Sequence, residues 1–332
     1  MSAILDNYPA LRVKPLSDTI KQYPAPDFLG LQTFKARKSV IGTLATYDEV
    51  KLSRAADTGL FVDFDSASRN VALRGIARKQ FDMAKVFVDK ALPQSILNDL
   101  AKLGTYDADG LAELMADEMA DLNTIIDYAQ ELLIWQALQG NINISETSPV
   151  YTKAIDFGVA VSHKPTVTAS WATNSTDIVS DIAAWKKLIQ TDSNVKAKRA
   201  FLNSSTMRYI INNDAVLATL SEIQKNEISQ TQSLSKFAGL DFVVYDGAAN
   251  TTGTTYIPDN TFILATDSKD LVKTIEGSEV ISTDQKTVHR VKGKFAYPEI
   301  TTNPTSLKIR AGLNFLPVLT RPDEVVVAKV KI

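Results

Sequence analysis

Apolar residues recur at steps of three or four between residues 107 and 139: Leu111, Met115, Met119, Leu122, Ile126, Ala129 and Leu133. That period gathers them on one face of a helix. Asp107 can cap its start and Gly140 can stop its end, so the pattern predicts a helix over 107–139. At 1.5 Å per residue it would be roughly 50 Å long. Upstream, residues 41–90 change to a β pattern. Segments 50–54, 60–65 and 71–74 alternate or are rich in strand formers, and 55–59 and 66–70 supply turn chemistry. A long, polar-flanked hairpin is predicted, with Arg69, Arg74, Arg78, Lys79 and Lys85 giving its second half a basic bias.

Residues 1–40 read as an extended arm, because Pro9, Pro15, Pro24 and Pro26 interrupt any helix. A short helix fits near 16–22, and Phe28, Leu29, Leu31 and Phe34 give part of the arm something to bury. From residue 150 the pattern is mixed. Residues 176–190 predict a helix with Ile178, Ile182, Trp185 and Ile189 on one face. A strand follows at 200–203, then a helix near 206–220 that Ser204 or Ser205 could cap. Short strands close the chain at 242–246, 257–264, 295–298, 315–319 and 325–332.

The 332 residues suffice for two domains or one elaborated domain, and 45% hydrophobic content supplies a sizeable core. A net charge of −2 argues against a chain whose main task is to coat nucleic acid. Without cysteine, disulfide scaffolds, thiolate metal sites and cysteine nucleophiles are excluded. The start of the chain has no basic segment followed by a long apolar run, so no signal peptide is expected. Nor does any apolar run approach the ~20 residues that cross a bilayer.

Candidate chemistry is sparse. His163 and His289 lie far apart, and each reads as a surface or strand residue. The G-x-S-x-G, H-E-x-x-H, Walker A and G-x-G-x-x-G spacings are missing. Asp63 and Asp65 share one face of a strand and could hold a cation or act as an acid/base pair. The wet face of a hairpin is the favoured reading. Asp107, Asp109 and Gly110 lack the spacing of a calcium loop and suit helix capping. Trp135, Trp171 and Trp185 read as core or interface anchors. Lys35, Arg37 and Lys38 form a small basic cluster that is either solvated or touches a partner. Between Lys102 and Lys153 there is no basic residue, while acids including Glu118, Asp121, Asp127 and Glu131 give the helix one sign of charge. Such a face must be solvated or matched by a basic partner.

The closing landmarks come in a fixed order: Phe242 to Asp246, Ile257-Pro258-Asp259-Asn260, Tyr297-Pro298, Phe315-Leu316-Pro317, and Arg321-Pro322-Asp323-Glu324. Together with the arm, hairpin and long helix, they resemble the major capsid proteins of tailed bacteriophages, specifically the phage lambda capsid protein E family. The resemblance covers roughly residue 25 onward. It implies an α+β, Hong Kong 97-type capsid fold: an N-terminal arm at 1–40, an extended loop at 41–80 and a spine helix at 107–139. The peripheral domain would take 81–150 and 276–315, and the axial domain 151–275 and 316–332. It further implies a structural protein that assembles in the host cytoplasm into pentamers and hexamers of a virion shell. The enclosed double-stranded DNA would be contacted weakly and without sequence preference. Expected partners are other copies of the chain, a separate scaffolding protein, a portal and a decoration protein, with no cofactor or metal. Assembly contacts are expected at Lys35, Arg37, Lys38, Arg54, Arg69, Arg74, Glu118 and Asp121, the acidic helix facing the basic hairpin or arm of a neighbour. The competing readings are an encapsulin-like compartment and a two-domain α/β enzyme using Asp63 and Asp65.

Overall fold

The computed structural model describes residues 13–22, 27–49, 77–92, 108–147, 150–248, 255–282, 288–302 and 305–331. The chain divides into two units, one drawn from 1–45, 80–135 and 273–318, the other from 46–79, 136–272 and 319–332. Both are discontinuous in sequence. The strands expected at 50–54, 60–65 and 71–74, and the cap at Asp107, lie outside the described residues.

In the first unit, helix α1 (Val13–Gln22) and short helix α2 (Leu29–Thr33) precede β1 (Arg37–Ser39). Strand β2 (Leu44–Glu49) pairs with β3 (Ala77–Asp82), residues 46–49 and 77–79 of the pair belonging to the second unit, and β4 (Ala84–Leu92) follows in the first. Phe28, Leu31 and Phe34 are buried, as their spacing in the arm requires. The long helix α3 runs Ala108–Leu138 and buries Met119, Leu122, Ile126 and Leu133. Its burial is broader than the predicted stripe, because Asn123, Asp127, Gln130 and Glu131 are also inside. The helix ends at Gly140, whose φ of +92° is a conformation that L side chains avoid. A Cβ there would also come within 2.6 Å of Val159 Cγ2.

After α3 come β5 (Asn141–Thr147) and β6 (Val150–Asp156), an antiparallel pair, and helix α4 (Ile178–Ser193). Next are β7 (Arg199–Leu202), α5 (Ser204–Ile211), α6 (Asp214–Thr219), α7 (Glu222–Thr231), β8 (Lys236–Phe237) and β9 (Leu240–Val244). The chain then forms β10 (Thr261–Ala265), β11 (Val272–Glu276), β12 (Ser278–Ile281), β13 (His289–Lys292), β14 (Phe295–Thr302), β15 (Thr305–Leu319) and β16 (Val325–Lys329).

The sheet of the first unit has the order β1-β11-β15-β14, with β4 also on β15. Its exposed edge is managed by the arm. Ser17 Oγ donates to Ala296 O at 3.0 Å and accepts from Ala296 N at 3.1 Å, so α1 occupies the hydrogen-bonding positions a foreign strand would use on β14. Pro298, two residues on, offers no N–H.

In the second unit the sheet order is β16-β10-β7-β9-β8, with β7 and β9 parallel and the other pairs antiparallel. All five residues of β10 are buried, which explains its unbroken apolar run. The predicted face of α4 packs as expected, and Trp171, Trp185 and Phe262 meet with ring centroids 5.4–5.7 Å apart. Two local expectations change. Asn203, not Ser204 or Ser205, caps α5, because its side chain accepts from Thr206 N. The single helix expected near 206–220 is two, because Asn213 caps α6 through Val216 N while donating to the carbonyls of Asn174 and Thr176. Those bonds hold the break in place.

Candidate assembly surface

The long helix brings three polar clusters together in the first unit. Lys90 on β4 reaches Glu118 and Asp121 on α3, at 2.6 Å to each. The hydrogen bonds that Lys90 donates to Asp121 and Glu118 hold its ammonium protonated above its ordinary range. The two acids expected to face a neighbour are thus already matched within the chain. Farther along, Asp127 is buried and receives Lys294 at 2.6 Å, while Asn123 bridges both groups. Burial lowers the Lys294 pKa, although Asp127 opposes the shift. One turn on, Glu131 is fully buried, and among the described residues no cation pairs with it. Its carboxylate accepts Gly30 N at 2.7 Å, Leu31 N at 2.9 Å and Trp135 Nε1 at 2.7 Å. Three donors compensate the buried charge, and they tie the arm to the helix. A Cβ on Gly30 would lie 2.7 Å from Glu131 Oε2, so the clamp requires glycine.

Asp127 and Glu131 therefore do not belong to a solvated acidic face. The sequence signal that could have found them is their position: Asp127 and Glu131 sit beside Ile126, Leu133 and Ile134, on the side the apolar residues bury.

Of the basic arm cluster, Lys35 and Lys38 are exposed, while Arg37 pairs with Glu276 at 2.9 Å across the parallel β1–β11 ladder. Arg54, Arg69 and Arg74, like Asp63 and Asp65, lie outside the described residues. In the second unit, the base of the expected loop is anchored. Glu49, buried, pairs with Lys79 at 2.9 Å, and Lys79 also donates to Phe157 O. Burial and the nearby Glu49 charge push the Tyr47 phenol well above its usual pKa.

His163 corrects the sequence reading. It is buried, not on the surface: Nδ1 is 2.7 Å from Val325 O and Nε2 3.0 Å from Asp192. His289 lies exposed on β13. Among the described residues no group of three or more His, Cys, Asp or Glu side chains could hold a metal ion, and no helix is long and apolar enough to cross a membrane.

Large apolar side chains stand out on several projecting elements. Val150 on the β5–β6 hairpin, Val161 in the following turn and Ile223 on α7 are each more than 80% exposed. Helix α7 buries none of its residues. Each such side chain, covered by another molecule, would contribute about 1.5–3 kcal/mol.

The model of the family "Phage major capsid protein E" matches residues 12–330. No curated protein sequence matches the chain. Among solved structures, a phage-related protein from Bordetella bronchiseptica RB50 shares 12% identity with a TM-score of 0.58, covering 96% of each chain. A protein assigned as the capsid protein of a prophage in E. coli CFT073 shares 11% identity with a TM-score of 0.57, covering 94% of each. At such identities the likeness is one of fold.

Proposed function

The chain belongs to the phage major capsid protein E family, so it is a structural shell protein with the Hong Kong 97-type α+β fold and not an enzyme; from that premise we propose that its copies close an icosahedral shell as pentamers and hexamers around packaged double-stranded DNA. The single observation that carries this reading is the family match over nearly the whole length. The virion capsid is its place of work; assembly occurs in the host cytoplasm.

In this reading, the unit containing the first part of α3 is the peripheral domain and the unit containing β10 is the axial domain. Residues 1–40 are the arm, and 41–80 the extended loop that lies over the next subunit. Lys35 and Lys38, exposed and near the edge strand β1, contact a neighbouring subunit, as do Arg54, Arg69 and Arg74 of the loop. A scaffolding protein guides closure, a portal occupies one vertex, and a decoration protein is added on the outside. Many weak contacts multiplied by symmetry suffice for a closed cage.

Negative-stain electron microscopy of the purified full-length chain, with and without its neighbouring gene products, tests the proposal. Closed shells or five- and six-membered rings are expected. Small discrete particles under every condition would overturn it. Shells filled with a second protein instead of nucleic acid would favour an encapsulin-like compartment.

A further inference from the structure

A groove of about 700 Å³ opens between the outer edge of β16 and the segment 164–166 in the second unit. Lys164, Lys329 and Lys331 line it. Among the described residues none of the three has an acidic partner, whereas Lys79, Lys90, Lys294 and Arg321 each do. The fold brings the lysines together for definite reasons. Lys329 and Lys331 follow Val327 at the two-residue period of an extended chain, so all three face one side.

Lys164 is fixed by its neighbours. His163 bonds Val325 O, Lys329 N donates to Pro165 O at 2.9 Å, and Val167 N donates to Lys329 O at 3.0 Å. Lys164 also runs past Gly140, where a Cβ would lie 3.3 Å from its Cε; its charge thereby sits near the negative end of the α3 dipole. The alternation that turns the amide of Lys329 away from β10 turns that of Val327 away from β10 as well, and Val327 lines the groove.

Neutral donors complete the wall. Asn141 and Thr166 line it, and Asn260 contributes Nδ2 because its Oδ1 already accepts the Tyr209 hydroxyl. Asp259 is the acid present, with Oδ1 accepting from Asn203 and Ser205, and it is one carboxylate against three lysines. The groove is therefore net positive. It offers few apolar anchors, which a docked peptide would need. Lysine, asparagine and threonine donors with an outward amide are what phosphodiester oxygens require.

The geometry points to a groove that holds the phosphate backbone of double-stranded DNA by sequence-independent contacts. This rests on the reading that the shell encloses DNA, and it names the surface that touches it. A chain of net charge −2 would then concentrate its nucleic-acid contact in one place. Such contacts make binding fall with salt by about 0.9 log units per phosphate neutralised, per log unit of salt.

The test uses the full-length protein and a fluorescent 20-base-pair duplex, with anisotropy read across a salt series. Wild type should bind, and K164Q/K329Q/K331Q should flatten the salt slope by about 2–3. The triple arginine variant should keep the slope, and K35Q/K38Q should leave it unchanged. If the triple glutamine variant loses its circular dichroism, K331Q by itself should flatten the slope by about 1. An unchanged slope in the glutamine variants overturns the proposal, as does a polyglutamate peptide that binds wild type where the duplex does not. Shell formation is scored separately by microscopy. A wild type that makes no shells refutes the capsid reading, while the slope still decides the groove.

Discussion

Lys294 Nζ stands 2.6 Å from Asp127 Oδ1, joining the turn before β14 to the middle of α3 in a site that leaves Asp127 1% exposed. Asn123 completes the arrangement, donating Nδ2 to Asp127 and accepting Lys294 on Oδ1. Removing one member of such a buried pair leaves an uncompensated charge. Lys294→Met should therefore lose about 3–5 kcal/mol in urea unfolding. The double variant Asp127→Leu/Lys294→Met should recover most of that loss, since a packed apolar pair substitutes well for a buried ionic one. A single variant as stable as wild type would refute the assignment.

The same lysine should leave a mark on the pH profile. Burial lowers its folded pKa below the ordinary lysine value. In the window between the lowered and ordinary values, the unfolded chain holds more protons than the folded one. Stability therefore rises with pH through that window by this group's contribution. Unfolding free energies from neutral pH upward should show a more positive slope in wild type than in Lys294→Met. Equal slopes would show that the ammonium is not desolvated.

Glu131 clamps the arm through two backbone amides of α2 and the Trp135 indole. Glu131→Ala strands those three donors in a buried site, each costing about 1–3 kcal/mol if nothing replaces the acceptor. Gly30→Ala attacks the same contact sterically. Both variants should open the arm to proteolysis near residues 28–34 before the remainder of the chain is cut. Unchanged digestion rates would rule out the clamp.

The core of the second unit depends on Trp171, Trp185 and Phe262. Phe262→Ala should destabilise by about 3–5 kcal/mol, through lost burial plus the cavity left behind. Tryptophan emission should shift to the red as the neighbouring rings gain water. A loss below about 1 kcal/mol would mean that the cluster collapses to fill the gap.

Lys35 and Lys38 are exposed, and among the described residues neither pairs with a charged group. Lys35→Glu/Lys38→Glu should change subunit stability by no more than about 0.5 kcal/mol. The yield of closed particles should fall severalfold by electron microscopy. Normal yields would remove the basic arm from the assembly contacts.

Much of the local structure was legible beforehand. Residues 107–139 announced α3, and Ile178, Ile182, Trp185 and Ile189 announced the buried face of α4. Gly140 marked a helix end because few other residues take that backbone conformation. The cap at Asn203 and the break at Asn213 were harder to see. Several serines and asparagines there could cap equally well, and the distant carbonyls of Asn174 and Thr176 decided which one does.

The family, too, was legible in the order of landmarks, and the family model matches residues 12–330. The sequence by itself determined the elements, the core-facing periods and the absence of cysteine chemistry, all of which depend on residue type and near neighbours. Only the tertiary structure decided the fate of the charges. The place of Asp127 and Glu131 beside Ile126, Leu133 and Ile134 hints at burial, but nothing local names what compensates them or His163, because the partners are Lys294, the amides of Gly30 and Leu31, and Val325 and Asp192. Those partners lie between 29 and 167 residues away, and a charge is stable inside only where folding has brought them within bonding distance.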